Sequence, residues 1–170
     1  KTLLSIEDMK NMQKQLYGCD VCQVVCPKNQ RALASFAEVE TAFSLEELLH
    51  CSNKAFLQKI GKTAAGWRGR KILQRNAVIA LGNSKSKQAL PLLEKALQDE
   101  RWLIRQTAVR AIFILQQPEG ISLLERAEKT EQHTEILQEI QHIKYQLKAG
   151  EFHGLLEHKG TERQQSGGAD

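Results

Sequence analysis

Leu73-Gln74-Arg75-Asn76-Ala77-Val78-Ile79-Ala80-Leu81-Gly82 and Ile104-Arg105-Gln106-Thr107-Ala108-Val109-Arg110-Ala111-Ile112-Phe113 stand 31 residues apart and repeat one apolar pattern. Leu73, Ala77, Val78, Ala80 and Leu81 fall on Ile104, Ala108, Val109, Ala111 and Ile112. Positions 73, 77, 80 and 81 return to one side of a helix, whereas a strand would alternate at every second residue. The same offset carries Leu90, Leu92, Leu93, Glu94, Lys95 and Ala96 onto Ile121, Leu123, Leu124, Glu125, Arg126 and Ala127. One register shared by all these positions predicts two copies of a helix pair. Stacked pairs bury apolar faces that neither could bury alone.

Small Ala residues in mid-helix, Leu81-Gly82, and Leu93-x-x-Ala96-Leu97 before Asp99 resemble HEAT-type repeats, although the 31-residue unit is shorter than usual. Ile136, Ile140, Ile143 and Leu147 form one more helical face, suited to closing the stack. Upstream, Ser44-Leu45-Glu46-Glu47 reads as a capping box opening a helix to about His50. Asn53 is expected to cap a helix from Lys54 to Ile60, with Gly61 ending it in the left-handed conformation. A Gly-rich loop runs from Gly61 to Gly69, and the composition turns polar from about Ala149, with Gly167-Gly168 near the end.

The second strong signal is Cys19-Asp20-Val21-Cys22-Gln23-Val24-Val25-Cys26-Pro27, a C-x2-C-x3-C-P run. The bacterial ferredoxin run is C-x2-C-x2-C-x3-C-P, and its last cysteine serves the other cluster where two are present. Leu16 stands where the first cysteine would be, so this run alone lacks a four-thiolate set. Ferredoxin logic gives Cys19 and Cys22 to one cluster and Cys26 to a second. Zinc is the competing reading, with His50 or Cys51 completing a site. Cys51, outside any motif, reads otherwise as a buried thiol. Four cysteines are too sparse for a disulfide scaffold and point to a reducing cytoplasm.

The expected fold is all-α: a small ferredoxin-like iron-sulfur segment followed by a HEAT-like α-α superhelical repeat domain. Residues 1-31 form the C-terminal piece of the iron-sulfur unit, 32-69 a helical connector, 70-148 the repeats and 149-170 a polar, disordered tail. No apolar stretch approaches the roughly 18 residues of a membrane span, and the start is too polar for a signal peptide. The chain opens without Met and reads as a fragment.

Charge is unevenly placed. From Leu48 to Leu93 there is no Asp or Glu, while Lys54, Lys59, Lys62, Arg68, Arg70, Lys71, Arg75, Lys85 and Lys87 supply nine cations. The chain has 24 basic and 20 acidic residues, so the remainder holds 15 basic against 20 acidic. A solvated helical face mixes signs, and a long stretch of one sign points to a polyanionic partner.

The run Gly18 to Asn29, Gly66-Trp67-Arg68-Gly69-Arg70-Lys71, Gln74-Arg75-Asn76-Ala77 and the repeats resemble, in that order, the C-terminal part of the epoxyqueuosine reductase family over residues 11 to 130. The resemblance implies an oxidoreductase of the bacterial cytoplasm that uses cobalamin and two [4Fe-4S] clusters. Such an enzyme reduces epoxyqueuosine to queuosine at the wobble position of tRNA. It implies cluster ligation by Cys19, Cys22 and Cys26, with the remaining ligands, the cobalamin domain and the catalytic acid upstream of Lys1. Partners would be the tRNA anticodon stem-loop and an external electron donor, with the protein a monomer off the membrane. Other readings are a HEAT-type binding module with structural zinc and an electron-transfer ferredoxin module without RNA binding.

Trp67, Arg68, Arg70, Lys71 and Arg75 are the candidate nucleic-acid contacts. Trp67 can stack on a base or plug the end of the repeats. Arg105 is expected to form a structural pair with an acid such as Asp99. Trp102, near a helix start, reads as packing, and His133, His142, His153 and His158 as surface residues.

Overall fold

The computed structural model describes residues 3-19, 21-29 and 44-160. Every regular element among them is helical: α1 (Ile6–Met12), α2 (Val21–Val24), α3 (Leu45–His50), α4 (Asn53–Lys59), α5 (Arg70–Gly82), α6 (Leu90–Leu97), α7 (Trp102–Leu115), α8 (Glu119–Glu128) and α9 (Thr134–Gly160). Short 3-10 turns at Ala65–Arg68 and Lys87–Ala89 precede α5 and α6.

The repeat offset maps onto packing. Leu73, Ala77, Val78, Ala80 and Leu81 of α5 and their counterparts Ile104, Ala108, Val109, Ala111 and Ile112 of α7 are all at most 5% exposed. α5 lies directly on α7, α6 also packs on α7, and α8 packs on α6 and α9. Gly82 lets α5 and α7 meet closely, because a Cβ there would stand 2.8 Å from Ala111 Cα. Ile136, Ile140 and Ile143 of α9 are at most 1% exposed and close the stack. On the α8 side of the stack, Lys87 pairs with Glu119 at 2.7 Å, Arg126 with Glu94 of α6 at 2.6 Å and Lys148 of α9 with Glu125 at 3.3 Å. These exposed pairs are each worth little.

The N-terminal segment does not stand apart. Met9 of α1 is fully buried in the same apolar cluster as α5 and α7. Three side chains of the repeats hold its backbone: Asn83 Nδ2 donates to Met9 O at 2.8 Å and Gln13 O at 2.9 Å, Asn76 Nδ2 to Leu16 O at 2.8 Å, and Arg110 to Leu4 O. Buried Gln74 donates to the carbonyls of Leu48 and Leu49 at 3.1 and 2.8 Å, satisfying the open end of α3. Leu48, Phe56, Leu73 and Ala77 share a second small core, so the connector and α5 stabilise each other. The described parts of residues 1-31, 32-69 and 70-148 therefore pack together through shared cores.

Several local expectations change. The Ser44–Glu47 capping box is present. The cap of α4 is Ser52 rather than Asn53, its hydroxyl accepting from Ala55 N at 3.1 Å. Gly61 does not take the left-handed conformation; among the described glycines only Gly18 and Gly69 have positive φ. It is small for another reason, since a Cβ would meet Leu57 O at 2.7 Å. The polar turn at Ala149 does not end α9, which continues to Gly160. Its Glu, Leu and Lys residues favour helix, and isolated glycines cost about 1 kcal/mol each without barring it. Residues 161-170 of the expected tail lie outside the described residues.

Arg105 also finds another partner. Its Nε and Nη2 donate to Glu131 at 2.7 and 2.9 Å, while Nη1 donates to the carbonyl oxygens of Asp99 and Glu100. The Asp99 carboxylate binds Arg101 instead, at 2.7 Å. Arg101 is near in sequence and reaches Asp99 from within one turn, leaving Arg105 to span to the turn before α9.

Candidate functional site

The cysteine segment is one helical turn. Val25 N donates to Val21 O at 3.0 Å, and Asn29 N to Cys26 O at 3.0 Å. Pro27 has no N–H to extend the turn. Cys19 and Cys22 are exposed and Cys26 is half-buried, all three as free thiols. Val21, Val24 and Val25 are 56%, 59% and 67% exposed, an apolar surface around the sulfurs that invites cover. Soft, accessible thiols at this spacing suit an iron-sulfur cluster or zinc, and both would need further ligands. Among the described residues, no three His, Cys, Asp or Glu side chains stand together as a metal-holding group.

Cys51 is placed differently. It is buried beside Leu48 and Phe56 and donates to Leu48 O at 3.3 Å. Burial pushes its thiol pKa up, with nearby Arg70 opposing that in part. A protonated, enclosed thiol is a poor ligand or nucleophile. His50 beside it is exposed.

The tertiary structure brings Cys19 to the basic segment. A cavity of about 380 Å³ is lined by Gln15, Tyr17, Gly18, Cys19 and the exposed valines. It shares Gln15, Tyr17 and Gly18 with one of about 320 Å³ that also touches Leu16, Arg68, Ile72, Arg75 and Asn76. That one shares Ile72 and Arg75 with a third, of about 200 Å³, lined by Lys71, Arg101, Leu103 and Ile104. Together they trace a groove from Cys19 across α5 to the start of α7. No Asp or Glu lines any of the three.

Arg75 sits where two of these cavities meet. Its Nε and Nη2 donate to Asn76 Oδ1 at 3.3 and 3.1 Å, and Asn76 in turn holds Leu16 O. A neutral amide therefore orients the guanidinium, and no carboxylate pairs with it among the described residues. Burial lowers the Arg75 pKa somewhat, yet a guanidinium stays charged. An oriented, partly desolvated cation without a counterion is a ready seat for an anion. Arg68 lines the same cavity, and Lys71 the next.

Trp67 is 86% exposed, so it does not plug the repeat stack. Arg70 is partly engaged in the scaffold, its Nη1 donating to Cys51 O at 3.0 Å. Of the nine cations in the acid-free stretch, Lys59 and Lys87 meet Glu47 and Glu119 from outside it. Sequence reasoning missed Trp102, which is 45% exposed and stacked on His133 with ring centroids 5.6 Å apart. The signal was available: Lys71, Trp102 and His133 follow the same 31-residue offset.

Comparison with known proteins agrees with this architecture. The model of the HEAT repeats family matches residues 68–143. An epoxyqueuosine reductase of Listeria monocytogenes is 42% identical over 136 residues, covering 76% of this chain and 36% of that protein. An uncharacterized protein in the gldA 3' region of Geobacillus stearothermophilus is 40% identical over 147 residues, covering 82% of this chain and 68% of its own length. A crystal structure of epoxyqueuosine reductase with an epoxyqueuosine-modified tRNA-Tyr stem loop superposes with TM-score 0.68 at 34% identity, over 87% of this chain and 41% of that one. The repeats, the N-terminal segment packed on them through Met9 and Leu16 and these likenesses along most of the chain place it in the epoxyqueuosine reductase family, whose named members it matches over about two fifths of their length.

Proposed function

We propose that this chain is the C-terminal part of an enzyme reducing epoxyqueuosine to queuosine at the wobble position of tRNA. The observation carrying this reading is the acid-free groove that joins Cys19 to Arg68, Arg75 and Lys71. In a related reductase, solved with an epoxyqueuosine-modified stem loop, the same architecture accompanies RNA.

Cys19 and Cys22 would ligate one [4Fe-4S] cluster and Cys26 a second, with further ligands from upstream sequence. This division does not ask the three sulfurs to meet at one point. The exposed valines would be covered by the upstream part of the enzyme. Cobalamin, held upstream, supplies the epoxide chemistry when bound. This chain anchors the stretch leading into the thiolates beside the RNA site, because Asn76 and Asn83 bind the carbonyls of Leu16, Met9 and Gln13. Arg75, Arg68 and Lys71 take phosphates of the anticodon stem-loop, and Trp67 offers a face to a base. An anticodon-loop nucleotide is already unpaired, so presenting it costs little unstacking. The enzyme acts as a cytoplasmic monomer fed by an external electron donor. No helix among the described residues is long and apolar enough to cross a membrane.

Two measurements test the reading. Anaerobic reconstitution of the longer protein with iron and sulfide should give the visible iron-sulfur band, lost on replacing Cys19, Cys22 and Cys26 by Ala. A colourless protein with one zinc per chain would instead make this a zinc-bearing repeat module. Binding of a stem-loop RNA should weaken with salt by roughly 0.7 log units per decade for each single-strand phosphate contacted, and further in Arg75→Glu.

A further inference from the structure

We propose that Trp102 and His133 form a stacking platform for an unpaired nucleobase of the bound RNA, at the end of the groove away from the cysteines. The inference rests on the RNA reading above and assigns it a further contact.

Trp102 opens α7, and His133 immediately precedes α9. With Lys71 they occupy one position in three successive units, at the start of the first helix of each. The groove ends on Arg101 and Leu103, the residues flanking Trp102. A tryptophan placed for packing alone would be covered, yet this one is 45% exposed. Its ring lies nearly parallel to the imidazole, at 19°. The stack holds the indole in place before any ligand arrives, so little side-chain freedom is lost on binding.

Charge decides which part of an RNA belongs here. Arg101 is neutralised by Asp99, and Glu131 by Arg105. Glu135 Oε2 stands 2.7 Å from His133 Nδ1. An anion gains little beside these carboxylates, whereas the neutral face of a base can stack on any aromatic ring. Phosphates are better served by Lys71 and Arg75 in the adjoining groove.

The chain contains two tryptophans, so Trp67→Phe leaves Trp102 as its sole indole. Titration of that variant with a stem-loop RNA should quench Trp102 emission saturably, with the midpoint found by anisotropy. Heparin, which carries anionic charge without bases, should bind without quenching. Trp102→Leu should weaken RNA binding by roughly 5- to 150-fold and leave the salt slope unchanged, because stacking releases no counterions. RNA binding that leaves Trp102 emission unchanged, or that Trp102→Leu does not weaken, overturns the platform alone. Absence of RNA binding by the unsubstituted chain overturns the RNA reading together with it. The fluorescence arm reads the native residue, so a folding defect in Trp102→Leu does not protect the proposal.

Discussion

Replacing Arg105 by Met should destabilise the chain by about 3–5 kcal/mol at pH 7, the usual cost of removing one partner from a buried ion pair. The side chains of Arg105 and Glu131 are 19% and 4% exposed and meet through two parallel bonds. Arg105 also holds the carbonyls of Asp99 and Glu100, so it fastens the turn before α7 to the turn before α9. Met fills similar space but leaves the Glu131 carboxylate buried, with the amides of Gln132 and His133 as its donors among the described residues. The pH dependence gives the sharper test. The hydrogen bond from Arg105 is the largest influence holding the Glu131 carboxyl below its ordinary range, aided by the two amides and opposed by burial. In the parent protein this group therefore contributes stability above its unfolded pKa of about 4.3, lost as pH falls through the lower folded value. Without Arg105 the largest lowering influence is gone, burial is opposed only by the two amides, and the folded pKa moves up. The variant's penalty should then be full at pH 7 and shrink as pH falls toward 5. Urea denaturation followed by circular dichroism at both pH values reads this, and the pH 7 melting temperature should drop by roughly 6–20 °C. Adding Glu131→Gln should recover part of the pH 7 loss. A penalty below about 1 kcal/mol, or one that does not shrink toward pH 5, would refute the reasoning.

Gly82→Ala should lower the urea midpoint by about 1–3 kcal/mol of stability, because the crowding against Ala111 outweighs a helix-propensity gain of about 1 kcal/mol. An unchanged midpoint would mean that α5 and α7 separate freely. In metal-free protein at pH 8, iodoacetamide should label Cys19 and Cys22 well before Cys51, as peptide mass spectrometry would show. Equal rates would contradict the enclosed thiol. Ser44→Ala should raise the Glu47 carboxyl toward its ordinary pKa in an NMR titration, since the Ser44 amide is the largest influence lowering it and the cap geometry would loosen.

The repeat architecture was legible because its signals are local and periodic. Leu73, Ala77, Ala80 and Leu81 share one helical face whatever lies opposite, and Ser44 can cap only the amides next to it. Errors arose where a choice depended on distant neighbours. Arg105 could reach either Asp99 or Glu131, and only the folded turns put Glu131 within reach while Arg101 occupied Asp99. Trp102 read as packing because its residue type favours burial, but the face it occupies carries the solvent-exposed stack with His133. Gly61 was read by its backbone freedom, whereas its role is the lack of a Cβ beside Leu57.

By itself, the sequence determined the helix pairs and their 31-residue register, the three thiols before Pro27, and a stretch of 46 residues without a carboxylate. All are properties of neighbours along the chain. The tertiary structure decided which cations stay available and what they face: Lys87 and Lys59 meet carboxylates, Arg70 turns partly to the scaffold, and Arg75 is aimed by Asn76 into a groove that begins at Cys19. The physical reason is range. Helical periodicity and capping act within a turn, whereas the side-chain bonds from Asn76 and Asn83 that dock Met9, Gln13 and Leu16, ahead of the cysteines, close loops of 60 residues and more.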